Sequence, residues 1–272
     1  MYYQKYIPCL PLRPYIECYF VWRTKAQQSD KWLDSPPNAF TAILFNLDGD
    51  LHVSLEPNAS TRLSSSYISG QCIRNYGLKV NGPLNQIGVV FKPTGLFQFF
   101  GIPMYELTHT RYALCDVFPG NFELLEEKIQ LAKTDQVRIA LLDDTFLKLL
   151  DHRDQTWSGV DRAANLIISS TDNLSVQDLI KDSYMSRRTF ERHFLERVGL
   201  SPKFYARIRR YGSLCAEIAG QRSHIDWDEL VFKYGYFDQS HLIKDFKEFS
   251  GKAPSQYLLE NNEVAHHIQP EE

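Results

Sequence analysis

The last hundred residues repeat themselves, and that repeat limits what this part of the chain can become. Ser175-x-x-Asp178-Leu179 recurs as Asp226-x-x-Glu229-Leu230 at an offset of 51. Phe190-x3-Phe194-x4-Gly199-x2-Pro202-x2-Tyr205 recurs as Leu242-x3-Phe246-x4-Gly251-x2-Pro254-x2-Tyr257 at an offset of 52. A fixed internal period marks one supersecondary unit used twice. The extra residue falls between the helices, since Tyr184-Met185 precedes Ser186 in the first copy and Gly235-Tyr236-Phe237 precedes Asp238 in the second. Each copy begins with a short polar cap followed three residues on by an acid, which suits the positive end of a helix. A turn, a second capped helix with an apolar i, i+4 face and a Gly stop complete the outline of a helix-turn-helix. Between the copies, Phe204, Ile208, Tyr211, Cys215 and Ile218 line one face of a helix over 202–219, closed by Gly220. Such a rod is about 25 Å long at ~1.5 Å per residue.

The remainder reads differently. At 272 residues the length favours two cores. Residues 1–120 are mainly strands: Ile16 to Trp22 and Ala39 to Leu47 are aromatic and β-branched, and Asp48-Gly49 and Asn81-Gly82 are hairpin signals. The second of these would join Tyr76–Val80 to Leu84–Phe91. A short helix is expected from Thr94 to Phe100, stopped by Gly101. From Phe122 the apolar period is helical, through Leu124, Leu125 and Ile129 and then Val137, Ile139, Leu141, Leu142, Phe146 and Leu149. The fold class is therefore an α+β two-domain chain: a β-rich, sensor-like domain over 1–120, a helical linker or dimerisation segment over 121–153, an all-α domain with two helix-turn-helix units over 154–260, and a polar tail over 261–272. The polar stretch from Asp151 to Ser158 is the expected boundary.

Charge is distributed unevenly. From Lys181 to Arg210 nine basic residues stand against three acidic ones, a net +6, although the whole chain carries −3. The other 242 residues must carry −9, so one short region opposes everything around it. The five cysteines are scattered and never spaced C-x-x-C, which points to buried reduced thiols rather than disulfides or zinc. No apolar run is long enough to span a bilayer and Met1 to Tyr6 is not a secretory signal, so a cytoplasmic protein without a membrane partner is expected. Asn46-Leu47-Asp48-Gly49-Asp50 begins like a calcium loop but has Pro57 where the closing Glu belongs. No metal and no cofactor is expected.

The segment from Gly235-Tyr-Phe-Asp-Gln-Ser-His-Leu-Ile-Lys-Asp-Phe to Ala253-Pro-Ser-Gln-Tyr257 resembles the second unit of the AraC/XylS family of bacterial regulators nearly throughout. Ser186-Arg-Arg-Thr-Phe-Glu-Arg-His-Phe and Gly199-Leu-Ser-Pro-Lys are similar to the first, and the likeness covers roughly Val160 to Leu259. Ile180 and Tyr184 depart from the family, which usually has Ala and a turn Gly there. A left-handed backbone at a bulky residue costs about 1–2 kcal/mol, so the first turn is expected to differ in angle. Arg13 to Trp22 and Gly88 to Leu96 resemble a less characterised sensor domain found in some of these regulators. The resemblance implies a DNA-binding transcription regulator, leaning towards activation, that reads two successive major grooves of double-stranded DNA. RNA polymerase, a small-molecule effector and a second copy of the chain are the further partners it implies.

On the helix from Ser186, Phe190, Phe194 and Val198 form the apolar stripe, leaving Arg187, Arg188, Glu191, Arg192 and Leu195 outside it. Arg can donate twice to guanine and Glu can accept from cytosine, so Arg187, Arg188, Glu191 and Arg192 are candidate base readers, with exposed salt bridges as the alternative. On the second unit the candidates are Gln239, Ser240, His241 and Lys244, with Asp238 a cap. Lys203, Arg207, Arg209, Arg210 and Lys252 are assigned to phosphates or to solvent. Two rivals remain. A fusion to an alkyl-transfer DNA-repair domain would be an enzyme, but its reactive cysteine would have to be Cys9, which lacks nearby Cys or His partners. The other is an interaction protein whose helical pair no longer binds DNA.

Overall fold

The computed structural model describes residues 2–28, 32–55, 59–120, 122–151, 158–169, 175–181, 183–220 and 225–260. The expected boundary stretch after Asp151 and the polar tail lie largely outside them. Eight strands form one antiparallel sheet: β1 (Tyr2–Tyr6), β2 (Ile16–Gln28), β3 (Leu33–Ser35), β4 (Thr41–Ser54), β5 (Thr61–Arg62), β6 (Ser66–Ser69), β7 (Tyr76–Phe91) and β8 (Arg111–Ala113). Their order is β1-β2-β7-β4-β6-β8, with β3 also on β7 and β5 on β4.

Neither expected hairpin exists. β4 runs through Asp48-Gly49 and β7 through Asn81-Gly82, and the two strands pair along their length from Thr41↔Phe91 to Ser54↔Gly77. Both glycines do take the positive φ that suggested a turn, at 93° and 89°. In β4 the glycine serves an irregularity instead: register shifts between Asn46 and Asp48 and again between Asp48 and Asp50. A Cβ at Gly49 would stand 2.4 Å from the Pro83 carbonyl oxygen, so the neighbouring strand leaves no room for one. The shifts change the side-chain parity of β4. Ala42 and Leu44 before them share a face with Leu51 and Val53 after them.

The sheet is apolar on both faces. One face, with Tyr19, Val21, Ile43, Phe45, Ile87 and Val89, packs on α1 (Gly95–Phe100), α2 (Leu114–Val117), α3 (Glu123–Leu131) and α4 (Asp135–Asp151). Leu125, Ile129, Leu142 and Phe146 of α3 and α4 are 5% exposed or less in that core, so these helices cover the sheet. The other face carries Phe20, Leu44, Tyr67, Tyr76 and Leu78. Among the cysteines, Cys72 and Cys215 are buried but Cys115 is exposed, against the expectation of buried thiols throughout.

Among the described residues, seven helices build the second core: α5 (Gly159–Ser169), α6 (Val176–Lys181), α7 (Arg187–Val198), α8 (Pro202–Gly220), α9 (Trp227–Lys233), α10 (Gln239–Ser250) and α11 (Pro254–Glu260). Phe190, Phe194, Val198, Leu242, Phe246 and Phe249 are at most 1% exposed, as their spacing requires. Along α8, Ile208, Tyr211, Cys215 and Ile218 are equally buried, and α8 serves both units. No helix among the described residues is long and apolar enough to cross a membrane.

Candidate DNA-binding surface

The repeat read from sequence becomes repeated capping geometry. Ser175 Oγ accepts from the Asp178 amide at 3.2 Å, and Asp226 Oδ1 accepts from the Asp228 and Glu229 amides at 3.0 and 3.1 Å. At the second helix of each unit, Ser186 accepts from the Thr189 amide at 3.3 Å and Asp238 from the His241 amide at 2.7 Å. Asp238 is therefore a cap. The two turns also match. Tyr184 holds φ 54° where the second unit has Gly235 at φ 61°, so the first turn keeps the left-handed step and carries its strain with the Tyr side chain 98% exposed. The expected change of turn angle does not appear in this torsion.

The α7 candidates fall into two groups. Arg188 and Arg192 are exposed, as is Leu195. Arg187 Nε donates to Glu191 Oε1 at 2.9 Å, an exposed i, i+4 pair that water and salt weaken readily. On α10, Ser240 and Lys244 are exposed, and Gln239 Nε2 donates to Asp228 Oδ1 at 2.8 Å on the preceding helix. His241 is half-buried, its ring edge-on to Tyr236 and its Nδ1 facing the Phe237 amide at 3.4 Å. Phe237, 91% exposed at the entry to α10, was not among the sequence candidates. The sequence places it directly before the cap Asp238, but nothing local tells an exposed Phe from a buried one.

The basic run on α8 is mostly turned inward. Arg207 donates to Asp245 Oδ1 at 2.7 Å and to Glu248 Oε2 at 2.6 Å, and lies over the Phe249 ring. Asp245 is buried on α10, and Arg210 approaches its other oxygen at 3.5 Å while donating to the Gly235 carbonyl at 3.2 Å and covering Tyr236. Arg209 sits over Phe40 of the β domain, 4.4 Å from the ring centroid. These three guanidiniums tie α8 to the second unit or to the β domain. Lys203 remains exposed on the first turn of α8, and Lys252 is half-buried beyond α10.

The same helices touch the β domain. Thr108 Oγ1 donates to the Gly199 carbonyl at 3.0 Å, just beyond α7, and the Asn75 amide donates to the Phe249 carbonyl at 3.0 Å, near the end of α10. Asp161 on α5 is fully buried and joins the parts: it accepts from Ser158, from Gln98 Nε2 at 2.9 Å on α1 and from Arg197 Nη1 at 2.9 Å on α7. Burial pushes its pKa up, but the Ser158 donors, Thr94 and Arg197 outweigh that and hold the carboxyl below the ordinary range.

A capped pair of helix-turn-helix units with exposed arginines on the second helix defines a DNA-binding transcription regulator. Residues 179–260 match the profile of a helix-turn-helix domain, and residues 4–113 match that of a domain of unknown function. The helix-turn-helix match falls within the segment whose sequence resembles the AraC/XylS regulators. No curated protein sequence matches the chain. Among solved structures it is similar to ToxT from Vibrio cholerae O395, with 13% identity over 90% of this chain and 97% of that one and a TM-score of 0.47. It is similar also to CuxR, described as an AraC-like transcriptional activator, with 12% identity over 70% and 72% of the two chains and a TM-score of 0.24. HppE in its cobalt(II) form gives 16% identity over 33% and 52%, with a TM-score of 0.25.

Proposed function

We propose that the chain is a cytoplasmic transcription activator that reads two successive major grooves with α7 and α10. The observation that carries this reading is the repeated cap-and-turn geometry, which leaves Arg188 and Arg192 exposed on α7 and Ser240 and Lys244 exposed on α10. Arg188 and Arg192 then contact guanine edges, while the Arg187–Glu191 pair opens so that each partner can meet a base. Gln239 leaves Asp228 for a base edge, and His241 stands behind the reading face. Phe237 adds an apolar contact at the groove wall. Lys203 and Lys252 meet phosphates. Grooves on one face of B-DNA recur about every 34 Å, and a 19-residue α8, about 28 Å at ~1.5 Å per residue, suits that separation.

Activation implies contact with RNA polymerase and control by an effector held in the β domain. Supporting that control, residues 36–40 lie between the sheet and α8: Ala39 is buried among the helical core residues, and Phe40 lies under Arg209. A second copy of the chain is a further partner, favoured by Leu124, Leu131 and Val137, which leave apolar side chains exposed on α3 and α4. Selecting sites from a random duplex library tests the core of the reading. Two preferred boxes separated by one helical turn are expected; a single box, or no preference at low salt, contradicts it. A purified promoter carrying the selected site should then give more transcript when the chain is added.

A further inference from the structure

The β domain holds a second feature that DNA binding does not use. On the face away from α3 and α4, the sheet encloses a cavity of about 130 Å³, roughly ten times the ~10–15 Å³ that one water needs by this measure. Aromatic side chains dominate its wall, among them Phe20, Trp22, Phe40, Tyr67 and Tyr76. Tyr3 stacks on Phe20 with ring centroids 5.7 Å apart, which makes one side a flat aromatic surface. The change of parity in β4 brings Ala42, Leu44 and Leu51 to the same lining.

Among the described residues, a single cation interrupts this lining. Arg111, from β8, lies 4.4 Å from the Tyr76 ring centroid, and its Nη2 donates to the Cys72 sulfur at 3.3 Å, a weak acceptor. No carboxylate among the described residues pairs with it. Its Nη1 is sealed from solvent without a hydrogen-bond partner, and so is the Trp22 indole N–H. Burial pushes the Arg111 pKa down, but Cys72, Tyr76 and Tyr67 more than offset this, so the guanidinium stays charged. Arg111 as a whole is half-buried, but a guanidinium nitrogen sealed from water with no acid beside it is costly, and proteins ordinarily pair one. Here the missing partner is an anion, and the walls around it are aromatic.

We propose that this cavity binds a small aromatic carboxylate, its carboxylate on Arg111 and its ring against the aromatic wall. Acetate lacks the ring, and a neutral amide lacks the charge. Both are therefore poor ligands. The site supplies the effector invoked above and rests on that reading for its regulatory meaning, but binding itself is measured without DNA. A ligand that binds while the chain selects no DNA site would leave this assignment standing and remove only the regulator's DNA reading.

Calorimetric titration of the full chain with phenylacetate, 3-phenylpropanoate, phenylacetamide, hexanoate and acetate tests the assignment. One or both aryl carboxylates should bind at least about tenfold more tightly than the amide, hexanoate or acetate. Arg111→Gln, checked for folding by circular dichroism, should lose that tenfold for the acids while leaving the amide unchanged. Ala42→Leu, which fills the cavity without touching the cation, should weaken acids and amide alike and decides the matter if Arg111→Gln fails to fold. Failure of the wild type to bind either aryl acid at millimolar concentration overturns the proposal. So does equal affinity for the amide, tighter binding of hexanoate, unchanged acid binding in folded Arg111→Gln, or wild-type binding in Ala42→Leu.

Discussion

Replacing Arg207 with Ala separates two meanings of a basic residue that the sequence cannot tell apart. The Arg207 side chain is 22% exposed and Asp245 only 1%, with 2.7 Å between them. Removing the guanidinium leaves Asp245 with Arg210 at 3.5 Å as its remaining cation. Breaking a buried ion pair costs about 3–5 kcal/mol, because the surviving charge is left in a poor solvent. Arg210 keeps the loss near the lower end, about 3 kcal/mol, and the half-exposed Glu248 contact adds no more than about 1 kcal/mol. With a urea m-value of about 1–3 kcal/mol/M, the unfolding midpoint should fall by roughly 1–4 M. DNA binding, measured where the variant is still folded, should keep the wild-type slope of log K against log salt. Lys203→Ala is the control, with an unchanged midpoint and a slope shallower by about 0.9, the value of one phosphate contact. If Arg207→Ala keeps its midpoint and loses that slope, Arg207 binds phosphate after all, and the tie between α8 and α10 is incidental.

Three further outcomes follow from the same geometry. The carboxyl of Asp161 titrates below its unfolded value, so its stabilising contribution should be complete above about pH 4 and fade as pH falls through the folded pKa. Urea midpoints of wild type and Asp161→Asn should therefore differ most near neutrality and converge in acid; a gap that widens in acid reverses the sign. Gly199→Ala and Gly251→Ala both force a left-handed Ala, but only the first Cβ meets another element, 2.7 Å from the Met104 carbonyl oxygen. Gly199→Ala should cost about 1–3 kcal/mol more by urea unfolding, and equal losses would mean the β domain does not press on α7. Tyr184→Gly should stabilise by about 0.5–1 kcal/mol, the ~1–2 kcal/mol of relieved strain less the added freedom of the unfolded chain; a loss would mean the exposed Tyr ring contributes an interaction of its own.

What was legible in the sequence was whatever depends on neighbours in the chain. Caps, apolar stripes and Gly stops act within one or two turns, so the helix-turn-helix pair, the stop at Gly101 and the α8 stripe follow from spacing alone. The hairpin signals failed for the complementary reason. A Gly with positive φ is a local fact, but whether the chain reverses there depends on which strand lies alongside, and β4 and β7 had already paired with each other. The contacts of Arg207, Arg209 and Arg210 were hidden for a similar reason. Their partners Asp245, Gly235 and Phe40 are distant in sequence, and a helix net cannot tell an arginine facing water from one facing a buried acid. Arg111 gave no signal, because its significance lies in lacking an acid within reach, which only the assembled sheet reveals.

The two units are equivalent in local geometry but not in how they meet the rest of the molecule, and this difference bears on control. Both α7 and α10 contact the β domain at or just beyond their C-terminal ends, through the carbonyls of Gly199 and Phe249. Their N-terminal ends, which carry the reading residues proposed above, lie at the opposite end of each helix. A shift at the C-terminal contacts therefore reorients the reading ends without touching them. The first unit is held more firmly, because Arg197 of α7 also reaches Asp161 and lies over Phe97 of α1 at 5.0 Å. The second depends on the Asn75 contact and on α8, whose Arg209 rests on Phe40 at the cavity wall. A change in the cavity that moves Phe40 thus reaches the helix shared by both units before it reaches either reading surface. On this geometry an effector would alter the relative setting of the two units, and so their joint affinity for paired sites, more than the base preference of either one.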